Sequence, residues 1–144
     1  MKTIAPAGAE GIPQEPQMTQ SMHITRNAPP DRQLIQRYGD GGFTVSGVRH
    51  SGPILVLPTA TAHWEAQRVA EIDGASLATT LRAANVSLCL IGCGLRMEQL
   101  PAGLREVLRE AGVSVDAMET GAACRTYNML VGEGRAVAAA LIPR

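Results

Sequence analysis

Small, polar and basic residues follow two predicted strands of this chain, at the points where those strands end. The first group, Gly92–Arg96, follows an apolar run over residues 86–91. The second group begins at Glu119, after a predicted strand over 113–118, and continues into the first turns of a helix. Glycines let backbone N–H groups approach a ligand closely, and a helix N-terminus carries a partial positive charge. If the two strands are neighbours, the loops face each other and form a site for an anion or another polar ligand.

The candidate ligand-binding residues lie in these two loops and on the helix that follows the second one. They are Gly92, Cys93, Gly94, Arg96, Thr120, Cys124, Arg125, Thr126 and Asn128. Their spacing is neither that of a GxGxxG dinucleotide fingerprint nor that of a P-loop. A purely structural interpretation also stays open. In it the glycines serve a tight turn and Asn128 binds the backbone of a loop. Arg125 then pairs with Glu119 or Asp116.

The three cysteines suggest different roles. Cys89 lies inside an apolar strand and is expected to be inert packing. Cys93 stands beside a helix N-terminus and Cys124 lies in the first turns of a helix, and both positions favour the thiolate. A nucleophilic cysteine also needs a base, and no histidine follows His63. We therefore predict that the chain is not an enzyme. A cysteine-dependent enzyme acting on a small anionic substrate is the alternative.

Composition excludes several other classes of protein. The 144 residues carry 13 basic and 13 acidic side chains, so the net charge is zero and nucleic-acid binding is not expected. No apolar run approaches the roughly 20 residues that span a bilayer, which predicts a cytoplasmic protein. The cysteines form neither a CxxC pair nor a disulfide framework, so neither a metal nor a cofactor is predicted. Neutrality leaves a homo-oligomer possible.

The first 31 residues differ in character from the rest. They contain five prolines and no apolar periodicity, which predicts a disordered or loosely attached tail over 1–31. Met18 and Met22 lie inside this stretch, so the start used by the cell is open between them and Met1. Residues 32–144 are predicted to form one α/β domain.

Short strands separated by glycine turns predict a β-meander from Leu34 to His50. A buried central strand ends at Pro58. Residues 59–72 are the least readable part of the chain, and within them Trp64–Ile72 fits a strand or a short helix equally well. Trp64 is expected to cover an edge of the core.

The rest of the chain reads β-α-β-α-β. Its helices are predicted over 75–84, from Pro101 to the residue before Gly112, and over 121–132 with Thr120 as N-cap. Alternation of this kind predicts a parallel sheet with right-handed crossovers.

Several stretches together resemble one protein family. The longest is Met118–Arg135, and the others are Tyr38–Phe43, Leu55–Pro58 and Ile91–Gly94, with Trp64. They are similar to the domain of unknown function that includes the mitochondrial respiratory complex I assembly factor and the mammalian adipogenesis-associated domain protein. The resemblance covers about residues 32–142.

The resemblance implies a three-layer α/β fold around a central mixed, mostly parallel sheet. It also implies that one strand, the last, runs antiparallel to the others. The family offers no established catalytic residues to carry over, and its mitochondrial member implies a protein-binding module. Our prediction is a small non-enzymatic binding or assembly module, with a protein segment or a small polar or anionic ligand as its partner.

Overall fold

A three-stranded antiparallel meander opens the part of the chain that the structure, a computed structural model, describes, residues 31–144. Its strands are β1 (Ile35–Gly39), β2 (Gly42–Val45) and β3 (Val48–Ser51). Asp40 and Gly41 turn the chain between β1 and β2 with φ of 53° and 75°. Such values suit short polar residues and glycine, so the predicted meander is confirmed. Residues 1–30 of the tail predicted over 1–31 lie outside the described residues.

A five-stranded mixed sheet follows the meander and forms the centre of the fold. Its strands are β4 (Ile54–Val56), β5 (Thr61–His63), β6 (Leu88–Cys93), β7 (Ser114–Met118) and β8 (Val137–Ile142), in the order β5-β4-β8-β6-β7. β6 pairs in parallel with both β7 and β8, whereas β4 pairs antiparallel with β5 and β8.

The expectation that the last strand runs antiparallel to the others is therefore wrong. The reversed strand is β4, which enters the sheet directly from the meander without a crossover helix. The three C-terminal strands are joined through α-helices, and such crossovers make neighbouring strands parallel. The pattern of strands and helices alone gave the correct direction for β8.

Three α-helices and one short 3₁₀ helix cover the sheet. The α-helices are α1 (Gly74–Ala83), α2 (Leu104–Glu110) and α3 (Thr120–Gly132), and the 3₁₀ helix is Val69–Glu71. The stretch Trp64–Ile72, which fitted either type of element, holds the 3₁₀ helix, and β5 precedes it. Gly112, with φ of 82°, follows the C-cap of α2 as predicted.

The predicted start of α2 at Pro101 is wrong by one turn. Gly103 is the N-cap, with a left-handed φ of 84°, and Leu104 is the first helical residue. Residues 101–104 form a turn, since the Leu104 N–H donates to the Pro101 carbonyl. The glycine lets the chain change direction there at little steric cost, which a proline-based start rule does not anticipate.

The sheet separates two apolar clusters. On one face, α1 and α2 contribute Leu77, Leu81, Leu104 and Leu108. On the other face, α3 and the meander contribute Tyr127, Leu130 and Phe43. The structure is therefore the predicted three-layer α/β fold. Small side chains on β8, Ala138–Ala140, are fully buried between the layers and let the helices lie close to the sheet.

Candidate functional site

The two predicted loops meet at the carboxyl ends of β6 and β7, and they are joined directly to each other. The Gly94 N–H donates to Thr120 Oγ1 over 2.8 Å, and the Thr120 N–H donates to the Gly94 carbonyl over 2.9 Å. Thr120 Oγ1 also donates to the Ile142 carbonyl over 2.6 Å. Thr120 is completely buried. We call the four residues Gly92, Gly94, Thr120 and Ile142 the Thr120 junction.

The glycines of the Thr120 junction leave room for the protein's own atoms. A Cβ on Gly92 would lie 2.9 Å from Thr120 Oγ1 and 2.9 Å from Leu141 Cδ2, closer than real Cβ contacts. Gly94 has φ of 98°, a conformation that other residues rarely adopt. The backbone approach predicted for a ligand is therefore made by Thr120.

The start of α3 corrects a second prediction, because Glu119 and not Thr120 caps the helix. The Glu119 carboxylate accepts hydrogen bonds from the N–H groups of Gly121 and Ala122 over 2.9 and 2.7 Å. Arg125 and Arg144 approach the same carboxylate to 3.6 and 3.9 Å. The hydrogen bond from Gly121, followed by that from Ala122 and the charges of the two arginines, lowers the pKa of Glu119 below its usual value. The chain thus supplies its own anion at the position predicted for a ligand.

Tyr38, from the far end of the sequence, completes this surface. Arg125 Nη1 donates to the Tyr38 hydroxyl over 2.9 Å, and the guanidinium carbon of Arg144 lies 5.6 Å from the centre of the Tyr38 ring. We call Tyr38, Glu119, Arg125 and Arg144 the Tyr38 cluster. Of these, only Arg125 was among the predicted ligand-binding residues. Its pairing with Glu119 was one of the structural alternatives that the sequence left open.

Cys93 and Cys124 do not have the thiolate character predicted from their positions, whereas Cys89 is buried packing as predicted. All three are buried, and burial raises the pKa of Cys89 and of Cys124 to about 12. Burial also raises the pKa of Cys93. Desolvation outweighs the nearby helix N-terminus, because the charged form loses water that no partner replaces. Cys124 lies on the buried face of α3 together with Ala123 and Tyr127. The i, i+3 spacing of Cys124 and Tyr127 was the signal in the sequence for this burial.

Asn128 and Tyr127 attach α3 to the meander. Asn128 Oδ1 accepts from the Ile35 N–H over 2.9 Å, and its Nδ2 donates to the Ile35 carbonyl over 2.7 Å. The Tyr127 hydroxyl donates to the Gln33 carbonyl over 2.9 Å. The side chain of Asn128 thus pairs with β1 as a neighbouring strand would. Half-buried Thr126 lies on the same helix.

The loop that leaves the Thr120 junction carries the most exposed large apolar side chains among residues 31–144. Leu95 is 71% exposed and Met97 is 61% exposed, with exposed Arg96 between them. The sequence prediction included Arg96 and missed its two neighbours. Two large apolar residues flanking an arginine, directly after a glycine turn, were the signal that could have identified them.

The fold and this site define a small three-layer α/β module. The polar groups at its strand ends are bonded internally, and an apolar loop projects beside them. Residues 35–142 match the family described as a protein of unknown function, DUF498/DUF598. The chain belongs to that family, as the sequence resemblance indicated.

Relatives support both the fold and the family. The Xenopus tropicalis protein named NADH dehydrogenase (ubiquinone) 1 alpha subcomplex assembly factor 3 is 34% identical over 111 residues, which are 76% of this chain and 61% of that protein. A crystal structure of a Bordetella parapertussis protein is 38% identical with a TM-score of 0.73, covering 81% of this chain and all of that one. A Bartonella henselae protein named an outer membrane protein is 36% identical with a TM-score of 0.71, covering 79% of this chain and 97% of that one.

Two findings limit how far the names of these relatives apply to this chain. The chain spans about three-fifths of the length of the assembly-factor relative. One neighbour is named for an outer membrane, whereas the sequence predicted a cytoplasmic protein. None of the helices in residues 31–144 combines the length and hydrophobicity that crossing a bilayer requires.

Proposed function

We propose that this chain is a small non-enzymatic protein-binding module that assists the assembly of a larger protein complex. The observation that carries the proposal is the pair of exposed apolar side chains, Leu95 and Met97, on a loop held at its base. Side chains of this size contribute most to protein interfaces when they fill a partner's pocket. The assembly-factor names of several relatives support a partner that is a protein.

The base of this loop is fixed by the Thr120 junction. Two hydrogen bonds between Gly94 and Thr120 hold the loop at the point where it leaves the sheet. A loop positioned in this way loses less conformational freedom on binding than a mobile one, which favours affinity. The polar groups of the Thr120 junction thus contribute to binding indirectly, since they position Leu95 and Met97.

The cysteine-dependent alternative receives less support. A nucleophilic thiol needs a lowered pKa or an adjacent base, and burial raises the pKa of all three thiols. An external anion at the start of α3 would have to displace the Glu119 carboxylate from Gly121 and Ala122. Both considerations favour a protein partner over a small anionic substrate.

The test is quantitative capture of partners by the full chain from its native host, followed by mass spectrometry. The variant Leu95→Asp/Met97→Asp should lose at least about tenfold of the captured partner, because charged residues do not enter an apolar pocket. Val48→Asp is the matched control, since Val48 is also an exposed apolar residue, at 56%, but lies on the meander. It should capture as much as the unaltered chain.

Melting curves accompany this experiment to show that each variant is folded. Equal loss of capture in the loop variant and in the Val48 control would contradict the proposed surface. Capture that does not change in either variant would do the same. A partner that proves to be a second copy of this chain would replace assembly with self-association.

A further inference from the structure

The outer edge of β7 presents backbone groups that the sheet does not use. β7 is the last strand in the order of the sheet, and among residues 31–144 it pairs only with β6. The Ser114 N–H donates to the Ser87 carbonyl over 2.9 Å, which fixes the side of β7 that faces β6. Since successive residues of a strand alternate, the N–H and C=O groups of Val115 and Ala117 face outward.

One of these outward groups already has a partner from a side chain. Arg105 Nη1, from the exposed face of α2, donates to the Val115 carbonyl over 2.8 Å. Exposed strand edges attract other strands, and a charged side chain at an edge is a common device against unwanted pairing. An arginine on a solvated helix face is also readily displaced. Ala117 lies two residues farther along the same edge.

A groove runs beside this edge. Its volume is about 640 Å³, within the range of about 300–1,000 Å³ that is usual for ligand sites. Met97, Leu100 and Ala117 supply apolar lining, and every residue of the loop from Met97 to Gly103 lines the groove. The groove therefore continues from the exposed loop of the proposed function.

The charge of the groove is unbalanced. Among the lining residues within 31–144, Glu98, Glu106 and Asp116 are acidic and Arg105 is the single basic residue. The ion pairs found within residues 31–144 include none of these three carboxylates. Lysine or arginine side chains of a partner would complement this charge, while the partner's backbone could still pair with the edge of β7.

We propose that the β7 edge binds an extended, basic segment of a partner protein, which joins the sheet as an additional strand. The backbone of the segment pairs with Val115 and Ala117 and displaces Arg105. Its basic side chains meet Glu98, Glu106 and Asp116. This is recognition by strand addition, in which main-chain bonds give affinity and side chains give specificity. The proposal rests on the proposed function only in taking the partner to be a protein.

The first experiment uses the full chain and two short synthetic peptides with blocked ends. Valine alternates with lysine in one peptide and with glutamate in the other. The lysine peptide should bind saturably, shift the NMR resonances of Val115 and Ala117, and slow the exchange of the Ala117 amide. The glutamate peptide should bind at least about tenfold more weakly, since its charges repel the groove.

Two variants test the two parts of the interaction. Ala117→Pro removes an outward N–H without removing a bond to β6, and should abolish binding of the lysine peptide. Glu106→Lys should weaken binding by about tenfold without disturbing the strand edge. Glu110→Lys is its matched control, because Glu110 is exposed on the same helix outside the groove, and it should bind as the unaltered chain does.

Each contrary result has a distinct meaning. Absence of lysine-peptide binding, or equal binding of both peptides, overturns the inference. Binding that survives Ala117→Pro while the chain stays folded overturns strand addition. Protection of the Ala117 amide in the free chain, by a second copy or by residues 1–30, also overturns a partner segment as the occupant. None of these outcomes depends on capture through Leu95 and Met97, so the two proposals fail separately.

Discussion

The Thr120 junction and the loop that leaves it are neighbours in the chain and opposites in chemistry. At the junction, Thr120 is completely buried, and its N–H and hydroxyl are hydrogen-bonded to Gly94 and Ile142. In the loop, Leu95 and Met97 project their apolar side chains into solvent. The polar residues thus stabilise the fold, and the apolar residues are free for a partner.

This contrast explains why small and polar residues at strand ends are an ambiguous signal. The carboxyl ends of parallel strands often bind ligands, but a buried hydroxyl there must be hydrogen-bonded whether or not a ligand is present. Thr120 finds its partners in Gly94 and Ile142, and Glu119 occupies the helix N-terminus. These internal contacts account for the buried polar groups without a ligand, and the ligand site at these strand ends stays a prediction.

The largest effect is expected for Thr120→Val, which keeps the shape of the side chain and removes its hydroxyl. The Gly94 N–H and the Ile142 carbonyl would then be buried without this partner, at about 1–3 kcal/mol each. We expect the free energy of unfolding, measured by urea denaturation, to fall by about 2–6 kcal/mol.

Two controls make this prediction specific. Thr120→Ser keeps the hydroxyl and should retain most of the stability. Thr126→Val makes the same change on the same helix at a half-buried position, and should alter stability by less than about 1 kcal/mol. Equal losses at positions 120 and 126 would show that the junction has no special role.

The sequence predicts the elements well because periodicity is a local property. The apolar stripe of α2 and the alternation of the meander appear within windows of a few residues. The bonds of the junction are different, because Thr120 meets residues 26 and 22 positions away. Tyr38 and Arg125 are 87 positions apart. Such contacts follow from how the sheet is assembled, which no local pattern contains.

The cysteines show a second reason why the prediction of the site was incomplete. A helix N-terminus lowers a thiol pKa, whereas burial raises it, and position in the sequence reveals the first effect more readily than the second. For Cys124 the burial effect dominates and raises the pKa to about 12. The apolar stripe of α3 contained the missing information.

An intermediate effect on the free energy of unfolding is expected at alkaline pH, because the thiols are buried. A thiol in the unfolded chain ionises near pH ~8.5, whereas the folded pKa of Cys124 is about 12. Stability is therefore fully present below pH ~8.5 and falls as pH rises above it, by about 1.4 kcal/mol per pH unit for each such thiol.

The variant Cys124→Ala isolates this contribution. Urea denaturation between pH ~8 and ~9.5, below the ionisation of an unfolded tyrosine, should show a shallower decline for the variant than for the unaltered chain. The slopes are compared, because removal of the sulfur also changes packing. Equal slopes would mean that solvent reaches Cys124 in the folded protein, which would contradict its burial.

A smaller effect is expected for Glu119→Gln, which keeps a hydrogen-bond acceptor at the N-cap and removes its charge. The folded pKa of Glu119 is lowered, so its contribution is present above the unfolded value of ~4.3 and is lost as pH falls through the folded pKa. The difference in melting temperature between the two proteins should be constant near neutral pH and shrink in acid. A difference in melting temperature that stays the same from neutral to acidic pH would contradict this role of the Glu119 charge.

The smallest effect on stability is expected where the effect on binding is largest. Leu95→Ser/Met97→Ser removes two side chains that are mostly in solvent already, so the free energy of unfolding should change by no more than about 0.5 kcal/mol. The same variant should lose partner capture. If it destabilised the chain as much as Thr120→Val does, the loop would be part of the folded core and no longer distinct from the junction. Unchanged stability combined with lost capture would mean that Leu95 and Met97 bind the partner, although the fold does not need their side chains for its stability.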